Sequence, residues 1–198
     1  MFPEIAKDDV FRLETQRLWL RWPRFADAPA MERYCAQWEV ARYTTRIPHP
    51  YPKGSAERFV YAAREANALG RELTLVMTPN SAPAKVIGTI SLERRGADRL
   101  TLGYVLAPEV WGRGYATEAV KAMVKAVFRL SEAQAVDANV AVANAASRGV
   151  LEKAGFAHVE RGLRGAPARA AMVETDVFAL MRDDWATRYD ASALEAAP

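Results

Sequence analysis

Cysteine is almost absent from this sequence: Cys35 is the only one in 198 residues. A single thiol excludes an internal disulfide and any zinc site built from several thiolates. The histidines are two, His49 and His158, too far apart in sequence to suggest a metal pair, and no metal is expected. No apolar run approaches a membrane span, and the opening residues, with Glu4, Asp8 and Asp9, carry no signal-peptide pattern. A cytoplasmic home without a membrane partner is therefore expected. Neither sign of charge dominates: a formal net charge of +3 falls short of a nucleic-acid footprint and favours small anions only weakly. Gly-Lys-Ser/Thr is missing, which excludes a Walker-type phosphate loop. Internal repeats and linkers are missing too, so one domain over 1–198 is expected, with its core at about 13–185.

What is present is a succession of short periodic segments. Thr15 to Arg24 alternates Leu18 and Leu20 against Arg17, Trp19 and Arg21, the pattern of a strand with one buried face. Asp27 to Arg42 reads as one helix, with Asp27 as its N-cap and Met31, Tyr34, Cys35 and Trp38 on the side facing the core. After a proline-rich loop through His49, Pro50 and Tyr51, Ser55 is read as the cap of a second helix that stops at Gly70. Strands are expected over Glu72–Thr78, Val86–Leu92, Arg99–Leu106, Gln134–Val142 and Val173–Met181. A helix with Val120, Met123, Val124 and Val127 inward and Glu118, Lys121, Lys125 and Arg129 in solvent divides two of them. Asn144 caps a fourth helix that ends at Gly155, where Phe156 opens a further strand, and the Ala-rich tail after Arg188 is expected to fray. Hairpins first and helical crossovers later indicate an α/β protein of the α+β type. Its mixed, mostly antiparallel twisted sheet would be flanked by about four helices.

The stretch from Val105 through Trp111, Gly112, Arg113, Gly114, Tyr115, Ala116 and Thr117 runs from a strand through a glycine turn into a helix. Such a turn leaves backbone N–H groups unpaired in front of the positive end of the helix dipole, an anion cradle. By itself such a glycine pair is a weak signal, more often a turn and nothing more. A dinucleotide-binding reading fits less well. The third glycine is missing, and Asp137, at the distance of a ribose-binding acid, stands mid-strand.

The wording Pro-x-x-Trp-Gly-x-Gly-Tyr-Ala-Thr-Glu-Ala at Pro108–Ala119 resembles the acyl-coenzyme A loop of the GNAT superfamily of N-acetyltransferases. It resembles the branch that acetylates ribosomal-protein N-termini and related amines. A second motif, Asn144-x-x-Ser147 followed by Glu152-Lys153-Ala154-Gly155-Phe156, is similar to that branch too. The resemblance covers roughly Leu13 to Trp185. It implies a GNAT fold, acetyl-coenzyme A as co-substrate and direct attack of an amine on the thioester. The backbone of Trp111 to Thr117 would wrap the pyrophosphate. Tyr104, Val105 and Leu106 would pair with the pantetheine arm, and Asn144 and Ser147 would flank the cofactor.

Where many members carry a tyrosine as general acid this chain has Leu151, so the resemblance assigns that role to Ser147; helix capping is the alternative account of the motif. The branch's glutamate two residues before Gly-Tyr is here Thr101. Glu93 and Asp176 remain as candidate bases, each also readable as a salt-bridged carboxylate. Arg161, Arg164 and Arg169 are read as a loop able to meet an acidic peptide or phosphate, or as solvated charge. Relatives form the acceptor groove around His49–Tyr51 and the Tyr34 helix, and Trp38 is expected to pack in the core. The expected partners are acetyl-coenzyme A and a primary amine, a protein N-terminus above all. The alternatives are a small amine, or acyl-coenzyme A binding without catalysis. Monomer and homodimer stay equally open.

Overall fold

Leu18 and Leu20 are fully buried, and the short strand that carries them anchors one side of an eight-stranded sheet. The computed structural model describes residues 11–195, with side chains as far as Arg188. The acidic N-terminal decad lies outside the described residues. In chain order the elements are β1 (Arg12–Glu14), β2 (Leu18–Arg21), α1 (Ala28–Cys35), α2 (Trp38–Ala41), α3 (Ser55–Ala68), β3 (Glu72–Pro79), β4 (Gly88–Arg94) and β5 (Arg99–Leu106). Then come α4 (Tyr115–Leu130), β6 (Ala135–Ala141), α5 (Ala145–Lys153), β7 (Ala157–Ala166), β8 (Ala171–Met181) and α6 (Arg182–Glu195).

The sheet order is β1-β2-β3-β4-β5-β6-β8-β7. Only β5 and β6 run parallel, because α4 carries the chain from one end of β5 back to the start of β6. All other neighbours are antiparallel. The mixed, mostly antiparallel sheet expected from the sequence is the one observed. Val120, Met123, Val124 and Val127 of α4 are buried at helical spacing. At about 1.5–3 kcal/mol per buried side chain, that stripe outweighs the modest helix propensity of valine.

Local details depart from the sequence reading. The segment Asp27 to Arg42 is two helices, because Gln37 takes an extended conformation (ψ 132°) between α1 and α2. Asp27 stands at the α1 cap position, yet its carboxylate caps nothing in that helix. It accepts two 2.8 Å hydrogen bonds from the Arg21 guanidinium and one of 2.7 Å from the Arg24 amide. Gly54, at φ 75°, is the residue before α3, so Ser55 is the first helical residue rather than its cap. Trp38 is half-exposed and tilts against His49 with ring centroids 5.4 Å apart, which removes it from the core. Arg161 and Arg164 belong to β7, and Arg169 ends a 3-10 turn between β7 and β8. As the outer strand of the sheet, β7 is exposed along most of its length and lacks the apolar alternation that marks a strand. The segment after Arg188, expected to fray, continues α6 to Glu195.

Candidate active site

The β5–β6 ladder closes at Leu102↔Ala138, although β5 continues to Leu106 and β6 to Ala141. Each strand keeps its outer partner past that point: β5 pairs with β4 as far as Leu106, and β6 with β8 as far as Ala141. Gly103 to Leu106 therefore have no strand partner on the side that faces a wedge-shaped slot. An extended, amide-bearing ligand can add to such an edge as a strand would.

At the mouth of the slot a short 3-10 turn (Pro108–Val110) leads into Trp111, whose indole N–H donates to the Leu106 carbonyl at 2.8 Å. Gly112 (φ 72°) and Gly114 (φ 78°) both adopt the left-handed conformation, and α4 begins at Tyr115 without a side-chain cap. The first α4 amide with an acceptor inside the chain is that of Glu118, on the Gly114 carbonyl, at 3.1 Å. Among the described residues, none of the N–H groups from Gly112 to Thr117 donates to another group of the chain. Amides concentrated in front of a 16-residue helix suit a pyrophosphate in charge and in geometry.

Arg17, in the turn between β1 and β2, clamps this loop from outside. Its Nη1 donates to the Arg113 carbonyl (2.9 Å), its Nε to Glu118 Oε2 (2.7 Å), and its guanidinium lies 4.6 Å from the Tyr115 ring centroid. Glu118 Oε1 also accepts from the Thr15 hydroxyl (2.6 Å) and the Arg17 amide (2.8 Å). Burial alone would raise the Glu118 carboxyl, but the hydrogen bonds from Thr15 and Arg17 outweigh it and hold it below its ordinary value. Periodicity alone puts Glu118 on the solvated face of α4 and Thr15 and Arg17 in the alternation of a first strand. No local periodicity links residues a hundred positions apart.

On the far side of the slot, Asn144 caps α5 by accepting the Ser147 amide at 3.1 Å. Ser147 Oγ lies 2.7 Å from the Tyr104 hydroxyl on the free half of β5. Arg148, the next residue, reaches Asp176 on β8. The first turn of α5 is thus tied to β5 on one side of the slot and, past β6, to β8 on the other. Leu151 is buried in the core.

A family model described as an acetyltransferase (GNAT) domain matches residues 17–157. The chain belongs to the GNAT acetyltransferase family. Over 183 residues the chain is 26% identical to the uncharacterized N-acetyltransferase p20 of Bacillus licheniformis, covering 88% of this chain and 98% of that one. A 64-residue stretch is 38% identical to the FsC-acetyl coenzyme A-N(2)-transacetylase of Aspergillus fumigatus; it spans 32% of this chain and only 27% of that protein's length. Among solved structures, RimL, a ribosomal L7/L12 alpha-N-protein acetyltransferase in complex with coenzyme A, superposes with a TM-score of 0.76. At 14% identity over 88% of this chain and 99% of RimL, that likeness speaks for the fold.

Within this GNAT domain the register settles where the candidate carboxylates stand. Glu93 is directly opposite Thr101, so the two share a sheet face on adjacent strands. Glu72 flanks Glu93 on β3, and Asp137 flanks Thr101 on β6. Asp137 is tied to Arg99 by bonds of 2.9 and 2.5 Å, a structural pair. Burial, followed by the neighbouring Glu93, raises the Glu72 carboxyl above its ordinary value. Glu93 Oε2 accepts from both Arg46 at 2.5 Å and Arg95 at 3.2 Å; among the described residues no hydrogen bond reaches Oε1.

Asp176 is different. Its side chain is fully buried, and both oxygens are occupied: Oδ1 by Arg161 (2.7 Å) and His158 (3.2 Å), Oδ2 by Arg148 and by Arg161 (3.3 Å). The Arg161 hydrogen bond, aided by His158 and Arg148, holds its carboxyl below the ordinary range. A carboxylate so occupied is a weak base.

Two expectations follow for this GNAT domain. Arg17→Ala should raise KM for acetyl-coenzyme A roughly tenfold with little change in kcat, the signature of lost ground-state binding. Initial rates at varied donor concentration check it; a fall in kcat at unchanged KM would separate the clamp from donor binding. Cys35, buried beneath Tyr51, has its thiol pushed up to about 12 by burial. Iodoacetamide at neutral pH should leave the native protein unlabelled and modify the denatured chain fully, as mass spectrometry would show.

Proposed function

We propose that this GNAT domain transfers the acetyl group of acetyl-coenzyme A to a primary amine, with the N-terminal amine of a protein or peptide as acceptor, by direct attack in a ternary complex. The observation that carries the reading is the slot between β5 and β6. A phosphate cradle stands at its mouth, the Ser147 hydroxyl on one wall, and a carboxylate with one free oxygen on the strand beside its apex. Acetyl-coenzyme A supplies an acetyl thioester, whose sulfur leaves readily once protonated. The chain's own residues do the rest. The amides of Gly112 to Thr117 hold the pyrophosphate, and the free edge of Gly103 to Leu106 aligns the arm and faces the thioester oxygen with backbone amide.

A protonated amine cannot attack, so a base must strip it. Glu93 Oε1 is assigned that task, through water, in place of the glutamate that Thr101 replaces. Ser147 protonates the leaving sulfur. The wording of both motifs supports an N-terminal amine as acceptor. Mass-spectrometric screening of acetyl transfer to peptides with free N-termini, lysine side chains and polyamines tests the assignment. Label on the α-amine is the expected outcome. Preferential acetylation of a polyamine would move the acceptor to small amines, and tight binding of acetyl-coenzyme A without turnover on any amine would leave a binding module.

A further inference from the structure

The Tyr104 hydroxyl lies across the slot from α5, 2.7 Å from Ser147 Oγ and 3.2 Å from the Ser147 carbonyl oxygen. The phenol has one proton and the two contacts compete for it: the carbonyl can only accept, but at 3.2 Å it is the longer and weaker contact. In the shorter one either oxygen could donate, and acidity decides: a phenol is a far stronger acid than an aliphatic alcohol. Burial pushes the Tyr104 hydroxyl up to about 12, and the Ser147 hydrogen bond only partly offsets it. The phenol therefore keeps its proton throughout the neutral range and remains a donor.

We propose that Tyr104 is a positioning residue for proton transfer: its O–H donates to Ser147 Oγ, leaving the serine's own proton directed into the slot toward the departing sulfur. This rests on the reading of Ser147 as the proton donor. As the amine nitrogen bonds to the acetyl carbon, the C–S bond breaks and its electron pair stays on sulfur. Sulfur takes the proton of Ser147, Ser147 Oγ takes that of Tyr104, and the phenol recovers one from water as the amine gives one up through Glu93. Amine and thioester become amide and thiol, with no other reactant. The reverse polarity, in which Ser147 donates to Tyr104 and Tyr104 to the carbonyl, would spend the serine proton inside the chain.

Tyr104→Phe keeps the ring and removes the hydroxyl alone. Its kcat should fall about 10- to 100-fold, the worth of one hydrogen bond to a developing charge, while KM for acetyl-coenzyme A stays within about twofold. Ser147→Ala should fall at least as far, and the double variant no further than Ser147→Ala alone, because the two hydroxyls act as one unit. A second readout needs no turnover: the thiolate absorbance of bound coenzyme A titrated against pH. An O–H aimed at sulfur favours the thiolate, so the bound thiol should ionise at lower pH in the parent than in either variant. The buried Cys35 thiol stays silent in that range. Parental kcat and thiol titration in Tyr104→Phe, with both lost in Ser147→Ala, would overturn the role of Tyr104 and leave Ser147 standing. Faster turnover in Tyr104→Phe would establish the reverse polarity. Parental kcat in Ser147→Ala would overturn the serine reading itself.

Discussion

Gly114→Val is expected to abolish measurable binding of acetyl-coenzyme A in a calorimetric titration while circular dichroism stays that of the parent. At φ 78° a branched residue stores roughly 1–3 kcal/mol of backbone strain. That is within the margin of about 5–15 kcal/mol that holds an ordinary domain folded. A Cβ at Gly114 would already stand 3.4 Å from Arg17 Nη2, so the valine methyls must displace the guanidinium that pins the Arg113 carbonyl and Glu118. The substitution thus bends the amides and unseats their clamp together. Gly112 is the internal control. Its φ of 72° is just as strained for alanine, yet nothing lies within 4 Å of a Cβ there, so Gly112→Ala should weaken binding less than Gly114→Val. Arg113→Ala should cost less still, because that residue engages the clamp through its carbonyl, which the substitution keeps. Parental affinity in Gly114→Val would remove the cradle from the donor site.

The cradle was legible in the sequence because every part of it is local: a strand, two glycines and a helix start within a dozen residues. The capping of α5 by Asn144 was legible for the same reason. Contacts made by folding were not. The clamp joins Thr15 and Arg17 to Glu118, and the two hydroxyls come from Tyr104 on β5 and Ser147 on α5, pairs that only sheet order and the βαβ crossover bring together. Trp38 misled because an aromatic at helical spacing fits a core stripe whether or not the helix continues, and α1 stops three residues before it. Strand β7 was half-read, its start signalled by Gly155 and Phe156 and its course hidden by exposure on both faces. The register did what motif wording could not: it set Glu93 beside Thr101, and it sent Asp176 into a cluster of arginines.

That difference in surroundings predicts opposite phenotypes for the two carboxylates. Glu93→Gln should lower kcat/KM by about 10²–10⁴-fold and remove the acidic limb of the pH–rate profile, the mark of a lost general base. Its melting temperature should barely move, because the half-exposed partners Arg46 and Arg95 make surface pairs worth at most about 1 kcal/mol. Asp176→Asn should do the reverse, leaving Arg148 and Arg161 facing a neutral amide inside the β7–β8 wall and lowering the melting temperature. The pH dependence carries the sign. Because the Asp176 carboxyl is held below its ordinary value in the folded chain, its contribution is complete above the unfolded-state value and is lost as pH falls through the folded one. Acid titration of the melting temperature should therefore be steeper in the parent than in Asp176→Asn at the acidic end of the carboxylate range. A silent Glu93→Gln beside an Asp176→Asn that melts normally and loses its acidic limb would transfer the base to Asp176.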